Sequence, residues 1–227
     1  MIRITIATNA EEAIAPSLQL IDPKPLSRQK SSVLLGGLSE ARQGFNPLPN
    51  VELKVKQVSD LGEAEVLLNQ AFTEAQVGTE ITGLPYTVVH MATHGKFSSN
   101  LEDTYILTWD EKIKIEELRL LLSSNVKQEN PIELLVLSAC TTAGDKRAAL
   151  GLAGMALRSG ARSTIASLWT VDDKSTALLM TYFYQELAQT QATKAEAMRR
   201  AQQRILQEQG YNHPYFWSGF ILVGNWL

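Results

Sequence analysis

The chain has one cysteine, Cys140, and three histidines, His90, His94 and His213. A single thiol excludes an internal disulfide, so a packed core has to hold the fold, and a reducing, cytoplasmic setting is expected. Charge of one sign is also scarce. The formal net charge is -3 at pH 7, which makes no electrostatic case for nucleic acid as a partner. Long apolar runs are missing: "IELLVLSAC" and its like fall well short of the roughly 20 residues of a membrane helix, so no membrane partner is expected. The start, "MIRITIATNAEEAIAPS", lacks the apolar centre of a secretory signal. There is no internal repeat and no low-complexity tract. With 44% hydrophobic and 20% charged residues the composition is globular, not disordered, and the length allows one large domain or two small ones.

What is present alternates between strand and helix patterns. "IRITIAT" has period two and predicts a strand. Residues 16–30 carry three prolines and predict a loop. "SSVLLGGLS" predicts a strand closed by glycines, and "ARQGFNPLPN" a loop. Val51, Val55, Val58 and Leu61 recur at helical spacing, although Leu53 and Val55 also fit a strand. "EVLL" predicts a short strand, "TEAQVGTEI" a short helix and "YTVVHMA" a continuous apolar strand. "TYILTW" and "KIKI" read as a hairpin-like pair, and "IEELRLLL" as a short helix. "IELLVLS" is unbroken apolar, the pattern of a strand covered on both faces. "AALGLAGMALRSG" predicts a helix of small residues ending at Gly160. "RSTIASLW" predicts the next strand. Two amphipathic helices follow, the second ending at Gly210, and a last strand at about 219–223. The alternation predicts an α/β sandwich with a mainly parallel sheet, in which sites lie beyond the carboxyl ends of strands. His94 and Cys140 both fall there, each just after an apolar run.

That position gives the pair a chemistry. A thiol is a useful nucleophile as thiolate, and a neighbouring imidazole can make that thiolate. The expected machine is Cys140 as nucleophile and His94 as general base and acid. The backbone N–H groups of Cys140 and Gly95 are its oxyanion donors, and Gly95 leaves room for a substrate backbone. The structural alternative is Cys140 as a small buried hydrophobe. His90, inside its strand, reads as a core histidine or a helper, and His213, before Pro214, as structural. His90 and His94 lack a third ligand at suitable spacing, so no metal is expected. "GLAGMALRSGA" lacks both G-x-G-x-x-G and a trailing Lys-Ser/Thr, so its small residues are expected to allow close helix–sheet packing, not to hold phosphate. Arg199, Arg200 and Arg204 read as a solvated helix face, and Trp169, Trp217 and Trp226 as core or rim packing.

The blocks "VVHMATHG", "LLVLSACTTAGD", "GLAGMALRSGARSTIASLWTVDDKSTALLM" and "HPYFWSGFILVGNW", with "APSLQLIDPKPL" upstream, resemble the CHAT domain. This caspase-like peptidase domain is often found beside TPR repeats and belongs with caspases, gingipains and separases. The resemblance runs from about Ile14 to Trp226. It implies a caspase-like three-layer sandwich, with a mainly parallel central sheet flanked by helices, as a single domain over residues 1–227. It implies a Cys–His dyad at His94 and Cys140 and no cofactor. "SACTT" departs from the caspase signature Q-A-C-[RQG]-G, so cleavage after Asp is not implied. "LWTVDDKST" resembles the separase segment whose acid receives an arginine before the scissile bond, which points to Asp173, with Asp172 beside it. A carboxylate there could pair bidentately with a guanidinium. Either Asp could instead cap the following helix.

The expected function is therefore a cysteine endopeptidase cutting protein or peptide substrates after Arg or Lys. The alternatives are a catalytically quiet caspase-like scaffold and a small-ligand-binding α/β domain with a structural Cys140. A TPR-type regulatory region or partner is expected from the family's usual company. No TPR repeat stands in these residues, and the chain reads as a candidate C-terminal part of a larger protein.

Overall fold

In a computed structural model, the structure describes residue 26 and residues 32–98, 100–127, 131–138, 141–142, 146–189 and 191–227. The strand expected in "IRITIAT" and nearly all of the loop expected over 16–30 lie outside the described residues, as does Cys140.

Among the described residues, two sheets are built from ten strands. The larger runs β10-β9-β7-β3-β1-β2, with β1 at Val33–Gly37, β2 at Ala64–Leu68, β3 at Val88–Ala92, β7 at Leu134–Leu137, β9 at Ser163–Ser167 and β10 at Phe220–Gly224. All its pairings are parallel except β10 with β9. The three central strands, β3, β7 and β9, are buried at every position. Their burial at every position follows from having helices on both faces, and in β7, Leu-Leu-Val-Leu, the residues are apolar without a break. Leu35, Val88 and Val136 pack with Val51 and Val55 of α1 (Asn50–Ser59), Phe183 of α5 (Asp173–Gln189) and Ile205 of α6 (Lys194–Gln207). Leu34, Val89 and Leu135 turn the other way. They pack with Ile81 of α2 (Glu74–Gly83), Leu118 of α3 (Ile115–Lys127) and Met155 of α4 (Lys146–Arg158). The period-two parity of the strands thus sorts the side chains into two cores.

The smaller sheet, β6-β5-β4-β8, comprises β4 (Gly95–Phe97), β5 (Tyr105–Leu107), β6 (Lys112–Lys114) and β8 (Thr141–Thr142). The expected hairpin-like pair is β5 and β6. Strands β4 and β8 were not foreseen, because runs of three and two residues carry no periodicity to read. The ambiguous stretch after Asn50 is a helix: burying Val51, Lys54, Val55 and Val58 along one face decides the matter.

One packing expectation is corrected. In α4, Ala153 and Ala156 are fully buried, but Gly151 is exposed. A Cβ on Gly151 would meet no described atom within 4 Å, and one on Gly154 would touch only the Arg158 guanidinium, at 3.5 Å. The alanines, not the glycines, bring this helix to the sheet.

Glycine is required elsewhere. In β1 a Cβ on Gly36 would lie 2.3 Å from the fully buried Phe72 ring. At the end of β10, Gly224 has φ 102°, and a Cβ would lie 2.5 Å from the Arg162 carbonyl oxygen. Gly224→Ala should therefore lower unfolding stability by about 2–4 kcal/mol through strain and overlap together. Gly83→Ala, in open space at the end of α2, should be neutral or stabilising by up to about 1 kcal/mol. Chemical denaturation of the two variants checks both.

Candidate active site

The carboxyl ends of β3 and β7 are hydrogen-bonded neighbours, in register from Val88↔Leu134 to Met91↔Leu137. Beyond them opens a cavity of about 390 Å³ lined by Phe45, Asn46, Lys54, His94, Ser138, Asp173 and Thr176, among others. Its lining carries one imidazole, one carboxylate, one amine and four hydroxyls, those of Thr93, Ser138, Thr170 and Thr176.

His94 stands between β3 and β4 and is half-buried. Its ring stacks on Phe45 at 4.9 Å, 29° from parallel. Its Nε2 lies 2.7 Å from the Asn46 carbonyl oxygen. A carbonyl can only accept, so Nε2 carries the proton and Nδ1 of the neutral ring keeps its lone pair. The loop that does this is itself anchored. Arg42 and Phe45 bridge across a turn with Gln43 and Gly44 at positive φ. The Arg42 guanidinium lies 3.8 Å over the Trp109 ring and donates to the Trp109 carbonyl at 3.0 Å. Phe45 and Asn46 were not singled out in the sequence, since a carbonyl belongs to any residue type and leaves no compositional trace.

Gly95 opens β4. The Leu107 N–H donates to the His94 carbonyl at 2.8 Å, and Gly95 faces Ile106 in the same register. In an antiparallel ladder the position after a hydrogen-bonded pair turns its N–H and C=O away from that partner. The Gly95 amide therefore faces the other edge, the one that carries β8. Lys96 pairs there with Thr141, the residue that follows Cys140 in sequence. Cys140 itself lies outside the described residues.

The two aspartates do different work. The Asp172 side chain accepts from the Ser175 N–H at 2.8 Å, while its carbonyl accepts from the Thr176 N–H. It caps α5. Asp173 lines the cavity, and its Oδ2 accepts from both the backbone N–H and the side-chain amide of Asn50, at 2.9 and 2.8 Å. One carboxylate thus meets the first turns of α1 and α5, an arrangement helix dipoles favour. Its Oδ1 accepts no hydrogen bond among the described residues. The Thr176 hydroxyl, also in the cavity wall, is buried without a partner among them.

Under this wall runs a buried polar chain. Lys54 Nζ donates to Ser138 Oγ at 2.8 Å, and Ser138 Oγ is 2.7 Å from His90 Nε2. His90 Nδ1 is 3.2 Å from the Tyr184 hydroxyl. Ser138 Oγ accepts from Lys54 and shares one hydrogen bond with His90 Nε2, and His90 Nδ1 shares another with the Tyr184 hydroxyl, so both ring nitrogens are satisfied. Burial first, then the Lys54 charge, holds the His90 pKa well below 6.5. His90 is a satisfied, neutral core histidine. Lys54 and Ser138 were not foreseen. A lysine three residues after Val51 and four before Val58, on a helix's apolar stripe, was the available signal. His213 is structural as expected, its Nδ1 accepting from the Tyr215 N–H. Arg199 and Arg200 pair with Glu196, and Arg204 lies over the Tyr182 ring. Trp217 is buried in the core, Trp226 packs against it, and Trp169 Nε1–H reaches the Tyr215 carbonyl at 3.4 Å. Among the described residues no cluster of His, Cys, Asp and Glu could hold a metal ion, and no helix is long and apolar enough to cross a membrane.

A family model described as the CHAT domain matches residues 5–225. Tetratricopeptide repeat protein 28 of Homo sapiens is 23% identical, across 80% of this chain and 9% of its own length, and the Mus musculus protein of that name gives the same values. The chain thus spans 9% of the length of these curated relatives. Two solved structures share its fold. The complex of Porphyromonas gingivalis RgpB pro- and mature domains superposes with a TM-score of 0.57 at 10% identity, covering 86% of this chain and 47% of that one. The Arg-specific cysteine proteinase gingipain R (RgpB) gives 0.55 at 13% identity, with 86% and 46% covered. At such identities the likeness is one of fold, and that fold is caspase-like.

The capping geometry has a direct consequence. Asp172→Ala should lower stability by about 1 kcal/mol through the lost cap. The shape of the cavity should be unchanged, which thermal unfolding alongside ligand binding would register.

Proposed function

Because the chain belongs to the CHAT-domain family, we propose that it is a cysteine endopeptidase cleaving protein substrates after a basic residue. The observation that carries this reading is the meeting of His94 and Asp173, whose Nδ1 and Oδ1 have no hydrogen-bond partner among the described residues, in one cavity beyond paired parallel strands. The Arg-specific neighbour named above adds support from a shared fold.

In this reading His94 Nδ1 takes the proton of the Cys140 thiol, and the thiolate attacks the scissile carbonyl carbon. The Gly95 and Cys140 N–H groups stabilise the oxyanion. The imidazolium returns the proton to the departing amine as the C–N bond breaks, leaving a thioester. Water, deprotonated by His94, then hydrolyses the thioester and frees the thiol. Phe45 and Asn46 keep the ring in the productive tautomer, as the orienting member of a triad does. Asp173 receives the guanidinium or ammonium of the residue before the scissile bond. The Thr176 hydroxyl accepts a further N–H, which relieves the cost of a buried, unpartnered group. A TPR-type region or partner is the proposed regulator, consistent with the names of the relatives.

The test is a matched set of fluorogenic peptides ending in Arg, Lys, Asp or Leu, together with an electrophilic Arg peptide that labels the nucleophile. Wild type should cut Arg best, since the planar fork matches a carboxylate, and should be labelled at Cys140. Asp173→Asn keeps an oxygen for Asn50 but should cut turnover of the Arg peptide by roughly 30-fold or more, the scale of a lost buried charge partner. Asp172→Ala should keep the Arg preference. Equal cleavage of all four peptides would end the acidic-pocket reading. Absent labelling together with absent cleavage would favour the quiet scaffold.

Thr176→Val offers a second test. Removing an unpartnered hydroxyl should leave stability unchanged or raise it by up to about 1 kcal/mol. The KM for Arg peptides should nevertheless rise several-fold, and that for Leu peptides should not move.

A further inference from the structure

The cavity that holds Asp173 also holds a lysine. Lys54 is 2% exposed and lies in the cavity wall with its amine bonded to Ser138. A charged ammonium and an incoming guanidinium would then share one cavity with a single carboxylate, and the ammonium is buried, away from solvent screening. Like charges at close quarters and low dielectric repel strongly.

We propose that Lys54 is a specificity-determining residue of this cavity: a cationic side chain takes its place beside Asp173 only when the Lys54 amine is uncharged, so its binding expels a proton from Lys54 to solvent. The inference rests on the reading of the cavity as a site for a basic side chain. The uncharged amine still donates to Ser138, so the chain through His90 to Tyr184 survives the loss of the proton. Lys54 is thus able to change charge without unmaking the packing around it.

Burial pulls the Lys54 pKa down to about 7, against the opposing pull of Asp173. The groups that face it are few. From β3 comes His90, held neutral by burial and by Lys54 itself. From α5 come Asp173 and Tyr184, whose phenol is driven up by burial and stays un-ionised. From the end of β7 comes the Ser138 hydroxyl, and His94 lies across the cavity. On α1 itself, the Glu52 carboxylate is engaged by Ser39 and Asn69.

The sign follows. Below neutrality Lys54 is charged and a cation is excluded; above it the amine is neutral and the cation is admitted. Apparent affinity scales with the fraction of uncharged amine, so it should rise about tenfold from pH 6 to pH 8 and then level off. About half a proton should leave per ligand bound at pH 7.

The experiment uses the full chain carrying Cys140→Ala, which prevents turnover. Two acetylated tetrapeptide amides, one ending in arginine and one in its neutral isostere citrulline, are titrated calorimetrically. The titrations run at pH 6, 7 and 8 in buffers of different ionisation enthalpy. The arginine peptide should show the tenfold rise and the proton release, and the citrulline peptide neither. Lys54→Met should bind the arginine peptide at pH 6 as tightly as the parent does at pH 8, with no proton released. The proton count on the unsubstituted Lys54 stands even if that variant folds poorly. Arginine binding that is independent of pH would overturn the role of Lys54 and leave the basic-side-chain reading intact. So would a pH dependence that persists in Lys54→Met and vanishes in His94→Ala. Failure of the arginine peptide to bind at any pH, with the citrulline peptide bound, would overturn both.

Discussion

Everything at this site depends on the parallel pairing of β3 with β7. The two strands are buried on both faces and register residue for residue, so their carboxyl ends stop at the same level. Parity then decides which side chains meet. Val88, His90, Leu134, Val136 and Ser138 turn to the α1–α5 layer, and Val89, Leu135 and Leu137 to the other. A slip of one residue in either strand would send His90 and Ser138 to opposite layers. Apolar side chains fill both layers, so it is the buried polar pair, and not the apolar runs, that a slip would strand.

The polar chain from Lys54 to Tyr184 is the price of building a site in a core. An amine, a hydroxyl, an imidazole and a phenol are buried together, each with a partner. Removing one member would strand its neighbours in a medium that cannot replace the lost bonds. The chain also ties α1 and α5 to the two strands they cover. Two of its members, Lys54 and Ser138, line the cavity itself. Protonation there costs the packing little, because the amine donates to Ser138 in either state.

Much of the larger sheet was legible in the sequence, and the reason is physical. Continuous apolar runs such as "VVHMA" and "LLVL" can be satisfied only by two-sided burial, and α5 and α6 announce themselves by period and by their ends. The smaller sheet was legible only as its β5–β6 hairpin, because β4 and β8 draw their identity from each other and from β5, not from their own residues. The site was legible in part. His94 and Asp173 stand out by residue type and line one cavity; Asp172 caps α5 instead, and Cys140, which the resemblance to a known family joins to them, lies outside the described residues. The Asn46 carbonyl, the Phe45 ring and the Thr176 hydroxyl did not stand out, since their roles come from placement alone. Lys54 could have been found, as a charge on an apolar stripe always needs a reason.

Asp173 gathers these threads. It is the first residue of α5, and through Oδ2 it binds the first amide of α1. Through its charge it raises the pKa of an amine that burial lowers. The same carboxylate is therefore a joint between two helices and the counter-charge of the cavity. Its Oδ2 is committed to structure, and its Oδ1 accepts no hydrogen bond among the described residues. A guanidinium paired there would add its charge to a carboxylate whose negative potential two helix N-termini and Lys54 already draw on. The cavity holds one negative charge and one conditional positive one. On the proposed reading, which cation balances Asp173, the protein's own or a substrate's, is a competition that proton loss from Lys54 can settle without moving the backbone.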